Sequence, residues 1–223
     1  MSIIKKIESK VSKTMLKYNM IEKDDRILIA YSGGKDSIVM TDILINLKRK
    51  VPFNFELKLI TVSALPKKQI INNITQFGID YKIIEFDNST LKGTKSPCQI
   101  CSRIRRGSLY EYAYKNRYNK IALGHHLDDV IQTSFMNQLF QAKLETMKAK
   151  FISDDKRNII IRPLHSILED DIIKYFNEKE FKLLNRNCTF RVTKTKREEI
   201  KVLLDRFNKM EKSNIYYSLK DFY

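Results

Sequence analysis

The chain has 223 residues, 43% of them hydrophobic, enough for one domain with a full core. No apolar stretch is long enough to span a bilayer, and Lys5, Lys6, Lys10 and Lys13 break up any signal core, so a cytoplasmic protein without a membrane partner is expected. A formal charge of +16 favours a polyanionic partner, nucleic acid first, with a general bias towards Lys, Ile and Asn as the plain alternative.

Residues 2 to 18 place Ile3, Ile4, Ile7, Val11, Met15 and Tyr18 on one face, with lysines mainly off it. That spacing predicts an amphipathic helix, its basic side turned to solvent or to a phosphate backbone. The apolar run Arg26–Ala30 predicts a buried strand. Tyr31-Ser32-Gly33-Gly34-Lys35-Asp36-Ser37 follows, then Ile38, Val39, Met40, Ile43, Leu44 and Leu47 at helical spacing. Strand, glycine turn and helix in that order make a phosphate cradle. The glycines let successive N–H groups point inward, and the helix N-terminus and Lys35 add positive charge. The run is not a Walker sequence, which needs Gly-x-x-x-x-Gly-Lys-Ser/Thr.

Further strands are expected at 56–62 and 81–86, with a helix over 67–77 between them that stops near Gly78. Residues 87–97 read as loop, and a basic helix begins near Cys101. A short strand at 121–123 runs into Gly124-His125-His126-Leu127-Asp128-Asp129 and another helix. Residues 141–158 are polar and read as a mobile segment. A strand over 158–162 ends at Pro163, a helix covers 169–176, and a basic helix covers about 194–212. Alternating strands and helices indicate an α/β fold: a parallel sheet, Rossmann-like, with helices on both faces. Ligand is then expected beyond the carboxyl ends of the strands. The domain division is 1–20 for the N-terminal helix, 21–185 for the nucleotide domain and 186–223 for a helical extension.

Three cysteines in a reducing compartment argue against a disulfide framework. On spacing alone, Cys98-x-x-Cys101 suits a metal, a redox pair or an iron–sulfur cluster. A closed zinc site needs four ligands, and only Cys188 remains as a further thiol. Three thiolates suit a cluster with one iron open to substrate. Asp36 and Asp129 are candidate Mg²⁺ ligands as hard oxygen donors. Asp128 and Asp129 also read as carboxylates favouring a helix start. For His125 and His126 a packing or capping role stands beside ligand contact. Arg103, Arg105 and Arg106 are candidate contacts to RNA phosphate or ATP, with a solvated helix face as the alternative. His165 belongs to no constellation.

Ser32–Ser37, Cys98-x-x-Cys101-Ser102-Arg103-Ile104-Arg105-Arg106-Gly107, Leu123–Asp129, Ile161-Arg162-Pro163-Leu164 and the Cys188 region together resemble the tRNA 2-thiocytidine synthetase branch of the PP-loop ATP pyrophosphatases. The resemblance spans roughly residues 20 to 205. It implies ATP bound by Ala30, Tyr31, Ser32, Gly33, Gly34, Lys35, Asp36, Ser37, Gly124 and His125. It also implies a [4Fe–4S] cluster on Cys98, Cys101 and Cys188, and tRNA as substrate. Catalysis would fall to Lys35, Asp36, Asp129 and the three cysteines. Adenylation of the cytosine C2 oxygen turns a poor leaving group into a good one, which sulfide at the open iron would displace as AMP. A sulfur donor such as a cysteine desulfurase is the implied partner, and a homodimer is compatible. The chain departs from the family at Arg191, which stands where a final cysteine is usual, at Gln132-Thr133, at Gln141-Ala142-Lys143, and in the short Ser63–Pro66 stretch. Other readings of the same residues are sulfur insertion at another nucleoside, an amine-joining ligase, a nucleic-acid-binding protein with an inactive loop, and a cluster-dependent desulfidase.

Overall fold

The computed structural model describes residues 2–91, 93–94, 96–184 and 195–223. The first helix, α1 (Ile3–Lys17), starts under Ser2, whose hydroxyl accepts from Lys5 N, and buries Ile7, Val11 and Met15. The chain then runs β1 (Arg26–Ala30), α2 (Lys35–Lys48), β2 (Glu56–Ser63), α3 (Lys67–Ile74), β3 (Tyr81–Glu85) and α4 (Pro97–Lys115). It continues through β4 (Lys120–Ala122), α5 (Leu127–Gln141), β5 (Lys150–Ile152), β6 (Ile159–Ile161), α6 (Glu169–Glu178), α7 (Lys196–Leu204) and α8 (Lys209–Ser218).

The sheet order is β3-β2-β1-β4-β6-β5. Pairing is parallel from β3 to β6 and antiparallel only between β6 and β5. Alternation along β1 sends Ile27 and Ile29 to one face, where α1, α2 and α6 share a core with them, and Leu28 to the other, beneath Leu109 and Ala113 of α4. Both faces are therefore covered, as a parallel sheet requires. The order reverses at β1, between β2 and β4, so the crevice for ligand opens beyond the ends of β1 and β4. The phosphate loop and Gly124-His125 follow those two strands. A third core, Leu127, Val130 and Ile131 against Ile200, Leu204 and Tyr216, holds α7 and α8 on α5. Among the described residues no helix is long and apolar enough to cross a membrane.

Four local expectations are corrected. The sheet is not wholly parallel: β5 is an antiparallel edge. Residues 141–158, read as a mobile polar segment, contain β5 and are tied down ahead of it. Thr146 donates to Val130 O at 2.5 Å, Asn137 to Glu145 O at 3.0 Å, and Arg162 N to Ala149 O at 2.9 Å. Helix α4 begins at Pro97 rather than near Cys101, because proline at the first helical position lacks only an N–H that would go unused. The basic C-terminal helix is two helices: Asn208 caps α8 by accepting from Met210 N and Glu211 N, and Glu211 returns a bond to Asn208 N.

Candidate active site

The loop after β1 is shaped by its serines and glycines. Gly33 takes φ +73°, a left-handed conformation that side chains resist. Ser37 Oγ donates to Gly34 O at 2.9 Å, and Ser32 N donates to Ser37 Oγ at 3.1 Å. Gly34 caps α2 without a side chain, so the first N–H groups of that helix have no intrahelical or side-chain acceptor. Gly124 lies against this turn: a Cβ there would sit 3.3 Å from Asp36 C and Ser37 N. The other wall is Leu184, whose N donates to Gly33 O at 2.9 Å. Tyr31 is anchored through its hydroxyl to Asn73, which in turn donates to Lys182 O at 2.8 Å.

Two hollows flank the loop. The first, about 410 Å³, is lined by Ala30, Tyr31 and Ser32, by apolar Ile60, Val62 and Leu123, and by His125. Arg105, Arg106 and Ser102 of α4 reach it, as do Met147, Phe151 and Asp154 from around β5 and Arg162 after β6. The second, about 290 Å³, is lined by Lys35, Asp36, His126, Asp128, Asp129 and Glu169, with residues of α7. Arg197 lies on the walls of both.

The second hollow is a network of charges. Lys35 Nζ lies 2.7 Å from Glu169 Oε1 and 3.1 Å from Asp36 Oδ1. Burial alone would lower the lysine pKa; the two carboxylates outweigh it and raise it. His126 stands between acids, its Nε2 3.9 Å from Asp36 and 3.5 Å from Asp129, and its Nδ1 3.6 Å from Asp128. Desolvation opposes its charge, yet Asp128, Asp129 and Asp36 together raise its pKa, which favours the imidazolium. His126 N donates to Asp129 Oδ2 at 3.1 Å, so this residue starts α5 as well. Asp128 accepts from Lys212 Nζ at 2.8 Å and Glu169 N at 2.7 Å, joining α5, α6 and α8. These partners and His126 overcome its burial and hold its pKa well below the carboxylate range. His125 differs from its neighbour: burial first, then Arg162, lowers its pKa to about 4, and it is neutral.

Cys98 and Cys101 fall in the first turn of α4, three residues apart, Cys98 exposed and Cys101 half-buried. Ser102, next to them, lines the first hollow. Two thiols one helical turn apart suit ligation of a cluster. Cys188 and Arg191 lie outside the described residues. Among the described residues no three His, Cys, Asp or Glu side chains form a metal-binding group. Asp36 and Asp129 do share the second hollow, with Asp36 Oδ1 ion-paired to Lys35. Such a pair suits Mg²⁺, which uses one or two carboxylates together with substrate phosphates.

Of the three basic candidates, Arg105 and Arg106 line the first hollow, while Arg103 is exposed and off its wall. The sequence reading missed Glu169, Arg197 and Arg162. Glu169 was within reach, since it opens an acidic first turn on α6. Nothing local to Arg197 points to the hollows.

The PP-loop domain family matches residues 4–200. Among curated relatives, tRNA-cytidine(32) 2-sulfurtransferase 1 of Francisella tularensis subsp. tularensis is 37% identical over 229 residues, covering 96% of this chain and 86% of the relative. The tRNA-cytidine(32) 2-sulfurtransferase of Hahella chejuensis is 36% identical over 214 residues, covering 92% of this chain and 75% of its own. Among solved structures, the U34-tRNA thiolase NcsA from Methanococcus maripaludis, with its [4Fe–4S] cluster, aligns at TM-score 0.80 and 27% identity, over 98% of this chain and 79% of that one. An NH3-dependent NAD synthetase from Campylobacter jejuni, at TM-score 0.51 and 17% identity over 100% of this chain and 93% of that one, shares the fold.

Proposed function

The chain belongs to the PP-loop family, in the branch of the tRNA-cytidine(32) 2-sulfurtransferases, and from that premise we propose that it is an ATP-dependent sulfurtransferase that forms 2-thiocytidine in tRNA. The observation that carries this reading is one hollow bordered both by the phosphate loop, through Ser32, and by the cysteine-bearing turn of α4, through Ser102.

ATP lays its base against Ile60, Val62 and Leu123 and extends its phosphates to the amides of Gly33, Gly34 and Lys35. Asp36 and Asp129 would hold Mg²⁺, which when bound would neutralise phosphate charge. The cytosine O2 attacks the α-phosphorus and pyrophosphate leaves. Lys35, released from Glu169, offsets the charge that grows on the departing oxygens. Sulfur then replaces the adenylated oxygen at C2 and AMP departs. Cys98, Cys101 and Cys188 would hold the [4Fe–4S] cluster, which when bound supplies sulfide for that exchange. Arg105 and Arg106 meet RNA phosphate at the mouth of the hollow, where a bidentate guanidinium positions without reading sequence. A cytoplasmic location and a desulfurase-type sulfur donor complete the reading.

Pyrophosphate release from ATP tests it. Release that depends on tRNA and disappears in Lys35→Ala is expected. Release with tRNA that yields a nucleoside joined to an amine, unaffected by Cys98→Ala, would contradict it.

A further inference from the structure

Arg162 is the first residue past β6 and is only 8% exposed. Its guanidinium lies 4.8 Å from the Phe151 ring centroid. Nε donates to His125 Nδ1 at 3.2 Å, and Nη1 donates to Lys148 O. Accepting at Nδ1 fixes the neutral His125 ring with its proton on Nε2. Among the described residues no carboxylate pairs with Arg162, and Nη2 makes no hydrogen bond. Lys120, also buried, shows the contrast: Asp25 stands 2.6 Å away and Glu22 2.7 Å.

A desolvated cation without a counter-ion is costly, and burial lowers the Arg162 pKa to about 10. Both Arg162 and His125 line the first hollow. Arg105 enters the same space from α4 with its Nε buried and without a hydrogen bond. Asp154 is the sole carboxylate on that wall among the described residues, against Arg105, Arg106, Arg162 and Arg197. The hollow thus has an apolar part, Ile60, Val62 and Leu123, and a cationic part, with Ser32 of the phosphate loop on the same wall.

We infer that Arg162, with the His125 ring beside it, binds the α-phosphate of the adenine nucleotide in this hollow. This rests on the reading that an adenine nucleotide occupies it. A base on the apolar wall and β and γ phosphates on the loop leave the α-phosphate between them. Guanidinium geometry suits a phosphate there, and the same contact would hold AMP as it leaves.

Titration of the full chain with adenosine, AMP and ATP, followed by calorimetry or ligand NMR, separates this role from a packing role. Arg162→Met keeps the stem on Phe151 and removes the charge. It should weaken AMP and ATP about ten- to a hundredfold and leave adenosine within about twofold. Arg162→Lys should recover part of the loss; if the Met variant does not fold, the Lys variant should still weaken AMP more than adenosine. Equal weakening of adenosine and AMP would overturn the assignment, as would unchanged AMP and ATP affinity. Unchanged nucleotide affinity with weakened tRNA binding would transfer the phosphate contact to RNA and also overturn it. Failure of the wild-type chain to bind any adenine nucleotide would overturn the proposed function with it, which the other outcomes would not.

Discussion

Gly33→Ala tests how the phosphate loop is held. Its φ of +73° costs an alanine about 1–2 kcal/mol. The new methyl would also stand 2.8 Å from Leu184 Cδ2 and closer still to Leu184 Cβ, so Leu184 must move. Leu184 is 8% exposed and donates its N–H to Gly33 O at 2.9 Å. Displacing it forfeits about 1 kcal/mol of hydrogen bond and part of the roughly 1.5–3 kcal/mol of a buried leucine. The total is about 3–5 kcal/mol, read from urea unfolding at constant slope. In a Leu184→Gly background the obstructing side chain is gone, and Gly33→Ala should cost only the backbone strain, about 1–2 kcal/mol. The two sites should therefore couple by about 2–3 kcal/mol. Equal costs in the two backgrounds, or a single-mutant loss under about 0.5 kcal/mol, would refute the argument.

Lys35→Ala should lower tRNA-dependent pyrophosphate release at least about a hundredfold while the unfolding midpoint stays near that of the wild type; a rate within a few-fold would remove Lys35 from the charge-stabilising role. Lys120→Met strands the buried Asp25 carboxylate without its cation and should cost about 3–5 kcal/mol, measured by urea unfolding, and adding Asp25→Asn should recover part of it. His165 donates to Met147 O and accepts from Tyr216 Oη, and burial holds its pKa down to about 4. The unfolded chain takes up that proton first as pH falls, so the contribution is present above about pH 6.5 and lost on descent towards 4, up to about 3 kcal/mol. Urea midpoints of His165→Gln should therefore decline less than wild type between pH 7 and 4.5, and superimposed curves would contradict this.

What the residues disclose in advance follows their range of interaction. The phosphate loop and its flanking strand and helix are readable because apolar period, glycine pair and helix start agree within twenty residues. The strap at Leu184 is not, since its place depends on the missing Cβ of Gly33 far away in sequence. Strand β5 has only Lys150, Phe151 and Ile152 in charged surroundings, and its pairing is decided by β6 rather than its own pattern. Lys120 reads as a surface lysine until Asp25 and Glu22 are seen beside it. Arg162 belongs to a run that resembles the family, but no role for it can be read until Phe151 and His125 enclose it. Asn208-x-x-Glu211, by contrast, is a capping signal present in the sequence that marks the break between α7 and α8.

The central claim meets its most direct test in the nucleosides of tRNA incubated anaerobically with the iron–sulfur-reconstituted chain, ATP and sulfide, digested and analysed by mass spectrometry. The account predicts 2-thiocytidine that requires ATP and is lost in Cys98→Ala together with bound iron. Unchanged cytidine from a protein carrying zinc and no iron would contradict it.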